Sequence, residues 1–396
     1  MARLGFVWEL GTYSGYSTLI GQIAQAAIAQ GHECVFIVRD MRAAAPHLPP
    51  RLGPMLQAPW TGATPTTHVR VQTSYATLLH NCGFDDSARL ASRLRAWIDL
   101  YRACGVERLV ARHSPTAILA ARLQGLPILH YGNGFTMPPD RTPWPSFRPD
   151  LKLSPAALLH NESRVLGVVN DALNRFDHPA IAEVRGIFSG LPTLLLGSPE
   201  LDHYLRAQPL PHIDFPPLGY GAMPEWPAGG DEARLFVPLL PTSAAKGWLE
   251  LLDRLPARSL VRFPSDAPIH HASDRVKISQ GPVDYVAALD ACTAVLGYGS
   301  HNLAHEALLA GKPMAAIAHT PDHLLLGQRV QSLGAGIVLS ERADAASLGQ
   351  LTAFLADTRF RDAAQGFAER NRRRSAPQDI PAQILEHAFA ARPAPL

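Results

Sequence analysis

Short apolar runs alternate with helically spaced segments in two separate series along this chain. That alternation confines it to a parallel-sheet α/β architecture. The first run, "LGFVWEL" at residues 4–10, ends at Gly11. Leu19, Ile20, Ile23, Ala26 and Ala27 then recur at helical spacing, Gly31 and His32 close the helix, and "CVFIV" at 34–38 follows. Strand, helix and strand in so few residues require a right-handed crossover and a parallel pair. The pattern returns at 108–132 and adds a strand at 192–198. The segment 204–230 is rich in proline and glycine, without periodicity, and reads as an inter-domain linker. A second series starts with "RLFVPLL" at 234 and continues through "SLVRF", "RVKIS", "AVLGYG", "PMAAIA" and "GIVLS". The expected layout is a first domain at 1–203, a linker at 204–233, a second domain at 234–355 and a helical tail at 356–396 that packs back on the first domain. Two such sheets face each other across a cleft, with ligands beyond the carboxyl ends of the strands.

With 396 residues the chain is long enough for two cores. Its 36 Lys and Arg balance 34 Asp and Glu, which argues against a nucleic-acid binder. The one basic cluster, Arg370 with Arg372 to Arg374, reads as a solvated helix face, with peripheral contact to anionic lipid as its other use. Cys34, Cys82, Cys104 and Cys292 lack Cys-x-x-Cys spacing and read as reduced thiols. There is no leader-like apolar segment and no run long enough to span a bilayer, so a soluble cytoplasmic protein is expected. Oligomeric state is left open.

The segment "VLGYGSHNLAHEALLAGKPMAAIAHTPDHLLLGQ" carries the most chemistry. A strand gives way to a glycine turn and a helix opening near His301 and Asn302. A helix N-terminus offers unpaired amides and a positive dipole end, a seat for a diphosphate. Gly299 and Ser300 let a ligand approach the backbone. Glu306, one turn on, suits vicinal hydroxyls such as a ribose. Asp322 and His323 end a loop at the same mouth, where sugar hydroxyls would sit. The pairs His301/His305 and His319/His323 have i, i+4 spacing. However, the chain lacks His-Glu-x-x-His order, Thr320-Pro321 breaks the second pair, and there is no Asp-x-Asp, so no metal is expected.

In order, these residues resemble the donor-binding region of GT-B glycosyltransferases, family 1 and UDP-glycosyltransferase-like, with a MurG-like donor domain. The chain reads Tyr298-x-Ser300-x-Asn302-Leu303-x-x-Glu306, then Gly311-Lys312-Pro313, Asp322-His323 and Gly334-Ala335-Gly336. The resemblance implies that Glu306 holds the ribose. The Ser300 to Leu303 amides, beside Tyr298, Gly299 and His301, would hold the pyrophosphate, and Asp322 and His323 the sugar. The run "SQGPVDYVAALDACTAV" places Gln280, Gly281, Pro282 and Val283 at the nucleobase. Tyr298 stands where the family has His, and His323 where it has Gln. The co-substrate would be a nucleotide sugar, with no separate cofactor.

"WELGTYSGYSTL" likewise resembles the family's acceptor loop, matching Trp8, Glu9, Leu10, Gly11 and Gly15. The family's general-base His is Tyr16 here. A free tyrosine is only about one part in a thousand phenolate at neutral pH, so it is a weak base. Glu9, at the end of a buried strand, is the first alternative, and its bland role is a structural hydrogen bond to loop amides. His113 and His130 follow. Asn133 and Phe135, in the Pro-rich stretch 132–147, join Gly15 and His130 as acceptor contacts. Trp60, Trp144 and Phe147 suit a lipid, polyketide or aromatic acceptor. The resulting expectation is a metal-independent, inverting transfer of a sugar to a small-molecule, lipid or glycan hydroxyl, with cleft closure bringing the substrates together. The alternatives are a catalytically silent binding partner and a nucleotide-sugar epimerase of the same fold.

Overall fold

The computed structural model describes the chain except residues 12–14, 61–66, 218–220, 231, 265–268, 270, 272, 373–375 and 377–378, and except the side chains of residues 15 and 16. It forms two compact units. One comprises Met1–Leu196, Tyr204–Ile213 and Gln378–Leu396, the other Gly197–His203 and Asp214–Pro377.

In chain order the first unit runs β1 (Arg3–Trp8), α1 (Gly15–Ala29), β2 (Glu33–Val38), α2 (Met41–Ala44), β3 (Met55–Gln57), α3 (Tyr75–Asn81) and α4 (Ser87–Ala103). It continues through β4 (Arg108–Arg112), α5 (Pro115–Leu123), β5 (Ile128–Gly132), α6 (Pro155–Asn174), β6 (Thr193–Leu196) and β7 (His212–Ile213). The seven strands are parallel, in the order β3-β2-β1-β4-β5-β6-β7. The central strands are buried almost end to end, as a sheet covered on both faces requires. In register, Phe6 lies opposite Phe36, with their rings stacked at 5.6 Å. Order reverses between β1 and β4, so the ends of those two strands open the crevice where such sheets take ligands. β7, inside the expected linker, is the seventh strand. Two residues cannot display a period, so it left no pattern.

The second unit runs β8 (Ala233–Pro238), α7 (Ala245–Leu252), β9 (Ala257–Arg262), β10 (Val276–Ser279), α8 (Tyr285–Ala291), β11 (Ala294–Tyr298), α9 (His301–Leu309), β12 (Met314–Ala318), α10 (Pro321–Ser332), β13 (Gly336–Ser340), α11 (Ala345–Ala356) and α12 (Arg359–Arg370). Its parallel sheet has the order β10-β9-β8-β11-β12-β13 and reverses between β8 and β11. Trp248 of α7 anchors the core on one face. On the other, Leu303, Ala304 and Leu308 of α9 meet Phe367 of α12.

The chain after 356 divides. α12 stays with the second unit, whereas α13 (Asp379–Ala390) belongs to the first and packs on α1. Ile380, Ile384, Leu385 and Ala388 bury its apolar stripe. Two arginines fix the end: Arg108 donates to the carbonyls of Ala388 and Ala391, each at 2.9 Å, and Arg122 to those of Gly186, Ile187, Ala394 and Pro395. Among the described residues no helix is long and apolar enough to cross a membrane. The four cysteines are free thiols.

Candidate functional site

In the second unit the reversal between β8 and β11 sets the geometry. Tyr298 ends β11, and its hydroxyl meets Thr242 Oγ1, just past β8, at 2.8 Å. α9 begins three residues later. Its N-cap, Ser300, is exposed and makes no side-chain hydrogen bond to the first turn, so the opening amides lack a hydroxyl cap. Asn302 Oδ1, in that turn, has no hydrogen-bond partner among the described residues.

Packing requires glycine at 299. A Cβ there would lie 2.6 Å from the His323 carbonyl oxygen, so only glycine lets the first turn of α10 sit against the turn after β11. Asp322 and His323 occupy that helical turn instead of a loop, behind Pro321 and a Thr320 cap that accepts from the His323 amide at 3.3 Å. Burial lowers the His323 pKa. The charges of His319 and His203 push the same way, against Asp322, so the ring is neutral at neutral pH.

His301 is enclosed, its ring 5.2 Å from His203 and 5.3 Å from Phe215, both edge-on. His305 Nδ1 lies 3.8 Å from Glu306 Oε1. Glu306 borders a groove of about 590 Å³ together with Val286, Leu289, Leu309 and Arg372. Gln280, Gly281 and Pro282 are exposed on a turn pinned by Ala222, which donates to the Pro282 carbonyl and accepts from the Asp284 amide, each at 2.9 Å. Val283 is buried and pairs with Ala222. Among the described residues no group of three or more His, Cys, Asp or Glu is arranged to hold a metal ion.

In the first unit the ends of β1 and β4 are tied together. The Leu10 amide donates to the His113 carbonyl at 2.9 Å, and the Glu9 amide to Ser114 Oγ at 2.8 Å. Glu9 is fully buried. Its Oε2 accepts from the Thr116 amide at 2.8 Å and the Ala117 amide at 3.3 Å, at the start of α5, while Oε1 faces Arg93 Nη1 at 3.6 Å. Burial raises the Glu9 pKa, opposed first by Arg93 and then by these hydrogen bonds. The arrangement is a helix cap with a buried counter-charge. Tyr16 and Gly15 lie outside the described side chains.

His113 is half-buried, with its backbone in the left-handed region at φ 42°. Its ring lies 6.3 Å from that of Tyr75 and 6.1 Å from that of Phe135. His130 is buried against Phe188, and burial drives its pKa down to about 3, with His113 and Arg206 adding to the fall. It is a neutral core imidazole. Asn133, Phe135, Trp144 and Phe147 are buried too. The Pro-rich stretch thus forms an aromatic cap: Glu162 of α6 accepts from the Trp144 amide, and the Phe147 amide reaches the Thr73 carbonyl at 2.7 Å. Trp60 is half-exposed, under the Arg39 guanidinium at 3.8 Å.

Sequence reasoning missed Arg93, Thr242, His203, Phe215 and Tyr75. Arg93 sits on α4, whose apolar spacing was the one available signal. His203 and Phe215 lie in aperiodic chain and carried none.

Two switch-point crevices, one per parallel sheet, define the GT-B fold. Three solved glycosyltransferases share it nearly end to end. SnogD from Streptomyces nogalater is 18% identical, with 97% of this chain and 99% of that one covered and a TM-score of 0.60. The calicheamicin glycosyltransferase CalG4 is 17% identical, covers 98% of each chain and has a TM-score of 0.68. The spinosyn rhamnosyltransferase SpnG, complexed with thymidine diphosphate, is 17% identical, with 98% and 100% covered and a TM-score of 0.65. More particularly, residues 252–387 match the family described as the C-terminal domain of erythromycin biosynthesis protein CIII-like proteins. Comparison with curated proteins returns no match.

Proposed function

We propose that this protein is a glycosyltransferase that moves a sugar from a thymidine diphosphate donor to a hydroxyl of a small aglycone. The observation carrying this reading is the uncapped N-terminus of α9 at the β8/β11 reversal. Amides and a helix dipole aimed at one point stabilise the charge that develops on a departing diphosphate, without a metal. Glu306 takes the ribose hydroxyls, the turn at Gln280 to Val283 takes the base, and Asp322 takes the sugar. Thymidine is favoured because SpnG was solved with thymidine diphosphate and VinC with dTDP, and an aglycone because SpnG was also solved with one.

The acceptor oxygen attacks the anomeric carbon opposite the leaving diphosphate, inverting the centre. Of the residues at the first crevice, His113 takes the acceptor proton. Glu9 is committed to α5 and Arg93, and His130 is buried against Phe188. A thermal-shift screen with dTDP, UDP and GDP tests the donor assignment, since a ligand that binds only the folded state raises its stability. dTDP should raise Tm and Glu306→Ala should remove the rise. No shift with any nucleotide would end this reading, and binding without turnover of any dTDP-sugar would make the chain a silent binder.

A further inference from the structure

We propose that His203 is a positioning residue for donor-sugar recognition, acting through Asp322. This rests on the donor assignment above. His203 Nε2 lies 2.6 Å from Asp322 Oδ1, with the imidazole fully buried and the carboxylate partly exposed at the head of α10. The two groups are in close polar contact.

The strap that carries His203 is unusually well fixed. Residues 197–203 belong to the second unit although β6, just before them, belongs to the first. Ser198 Oγ donates to Asn371 Oδ1 at 2.6 Å, and Asn371 Nδ2 donates to Glu200 Oε1 at 2.6 Å. Arg370 Nη2 pairs with Glu200 at 2.9 Å, and Arg329 of α10 donates to the Glu200 carbonyl at 2.8 Å. Leu201 is fully buried in the core with Leu303, Ala304 and Leu308 of α9. The strap is thereby bolted to α9, α10 and α12, and it ends on an imidazole braced by His301.

A carboxylate that reads sugar hydroxyls must be held in one rotamer to discriminate. The partly exposed Asp322 carboxylate is contacted by His203, and that contact holds its rotamer. The diphosphate and base contacts lie elsewhere, on α9 and the turn at 280–283. Loss of His203 should therefore weaken sugar recognition and spare the nucleotide.

The test is calorimetric titration of the full chain with dTDP and with dTDP-glucose. For His203→Ala, the ratio of the two dissociation constants should move against the sugar nucleotide by about tenfold, within the range of coupling between residues in contact. dTDP itself should bind as in the parent, which also reports a folded donor half. His203→Gln, which keeps a polar group near the same place, should restore most of the ratio. An unchanged ratio in His203→Ala with intact dTDP binding would overturn the positioning role and leave the donor assignment standing. Failure of the parent to bind dTDP would overturn both.

Discussion

Replacing Arg93 by methionine tests how the first crevice is held together. The guanidinium is buried, faces Glu9 Oε1 at 3.6 Å and donates to the carbonyls of Cys82 at 2.9 Å and Gly83 at 2.8 Å. Removing one partner of a buried ion pair costs about 3–5 kcal/mol, because the remaining charge is stranded. The pH dependence separates that cost from simple packing loss. Glu9 has a folded pKa raised above its ordinary 4.5, chiefly by burial, and Arg93 is the largest influence pulling it back. A raised acid contributes stability that is fully present below the unfolded pKa and lost as pH climbs through the folded one. Arg93→Met raises the folded pKa further, so the variant loses more than the parent over that climb. At pH below the ordinary 4.5, where the Glu9 carboxyl is protonated in both folded and unfolded chains, only the two abandoned carbonyls remain, a deficit of about 1–3 kcal/mol. As pH rises and Glu9 ionises, the deficit should grow toward about 3–5 kcal/mol. Urea unfolding followed by tryptophan fluorescence suits the measurement, since Trp8 and Trp97 are both fully buried in this unit. The double variant Glu9→Gln, Arg93→Met should lose the pH dependence. A deficit that stays constant from pH 4.5 to 8 would refute the stranded-carboxylate reasoning.

Other outcomes follow from single contacts. Gly299→Ala places a methyl 2.6 Å from the His323 carbonyl and should cost about 1–3 kcal/mol while displacing Asp322, visible as a lower Tm and weaker dTDP-sugar binding. Tyr298→Phe removes the hydroxyl that meets Thr242 and should lower stability by about 1 kcal/mol, the scale of one neutral hydrogen bond, read as a lower Tm. Arg122→Met abandons the carbonyls of Gly186, Ile187, Ala394 and Pro395 and should release the C-terminal residues to proteolysis before the rest of the chain. His113→Ala should reduce turnover at least a hundredfold with dTDP binding unchanged, the usual scale of a general base. Equal turnover would remove His113 from that role.

What sequence alone determined is local and periodic. The βα alternation set two parallel sheets, and the turn at 298–302 announced an amide-rich helix start after β11, because strand burial, helical spacing and capping depend on near neighbours in the chain. Tertiary structure decided whatever depends on distant neighbours. Gly299 is glycine because His323 packs on it, Glu9 is a cap because α5 begins beside it, and the aromatic residues at 135, 144 and 147 fill a core instead of lining a surface. The strap ending at His203 has no pattern to read, since its contacts with α9, α10 and α12 join residues more than a hundred positions apart.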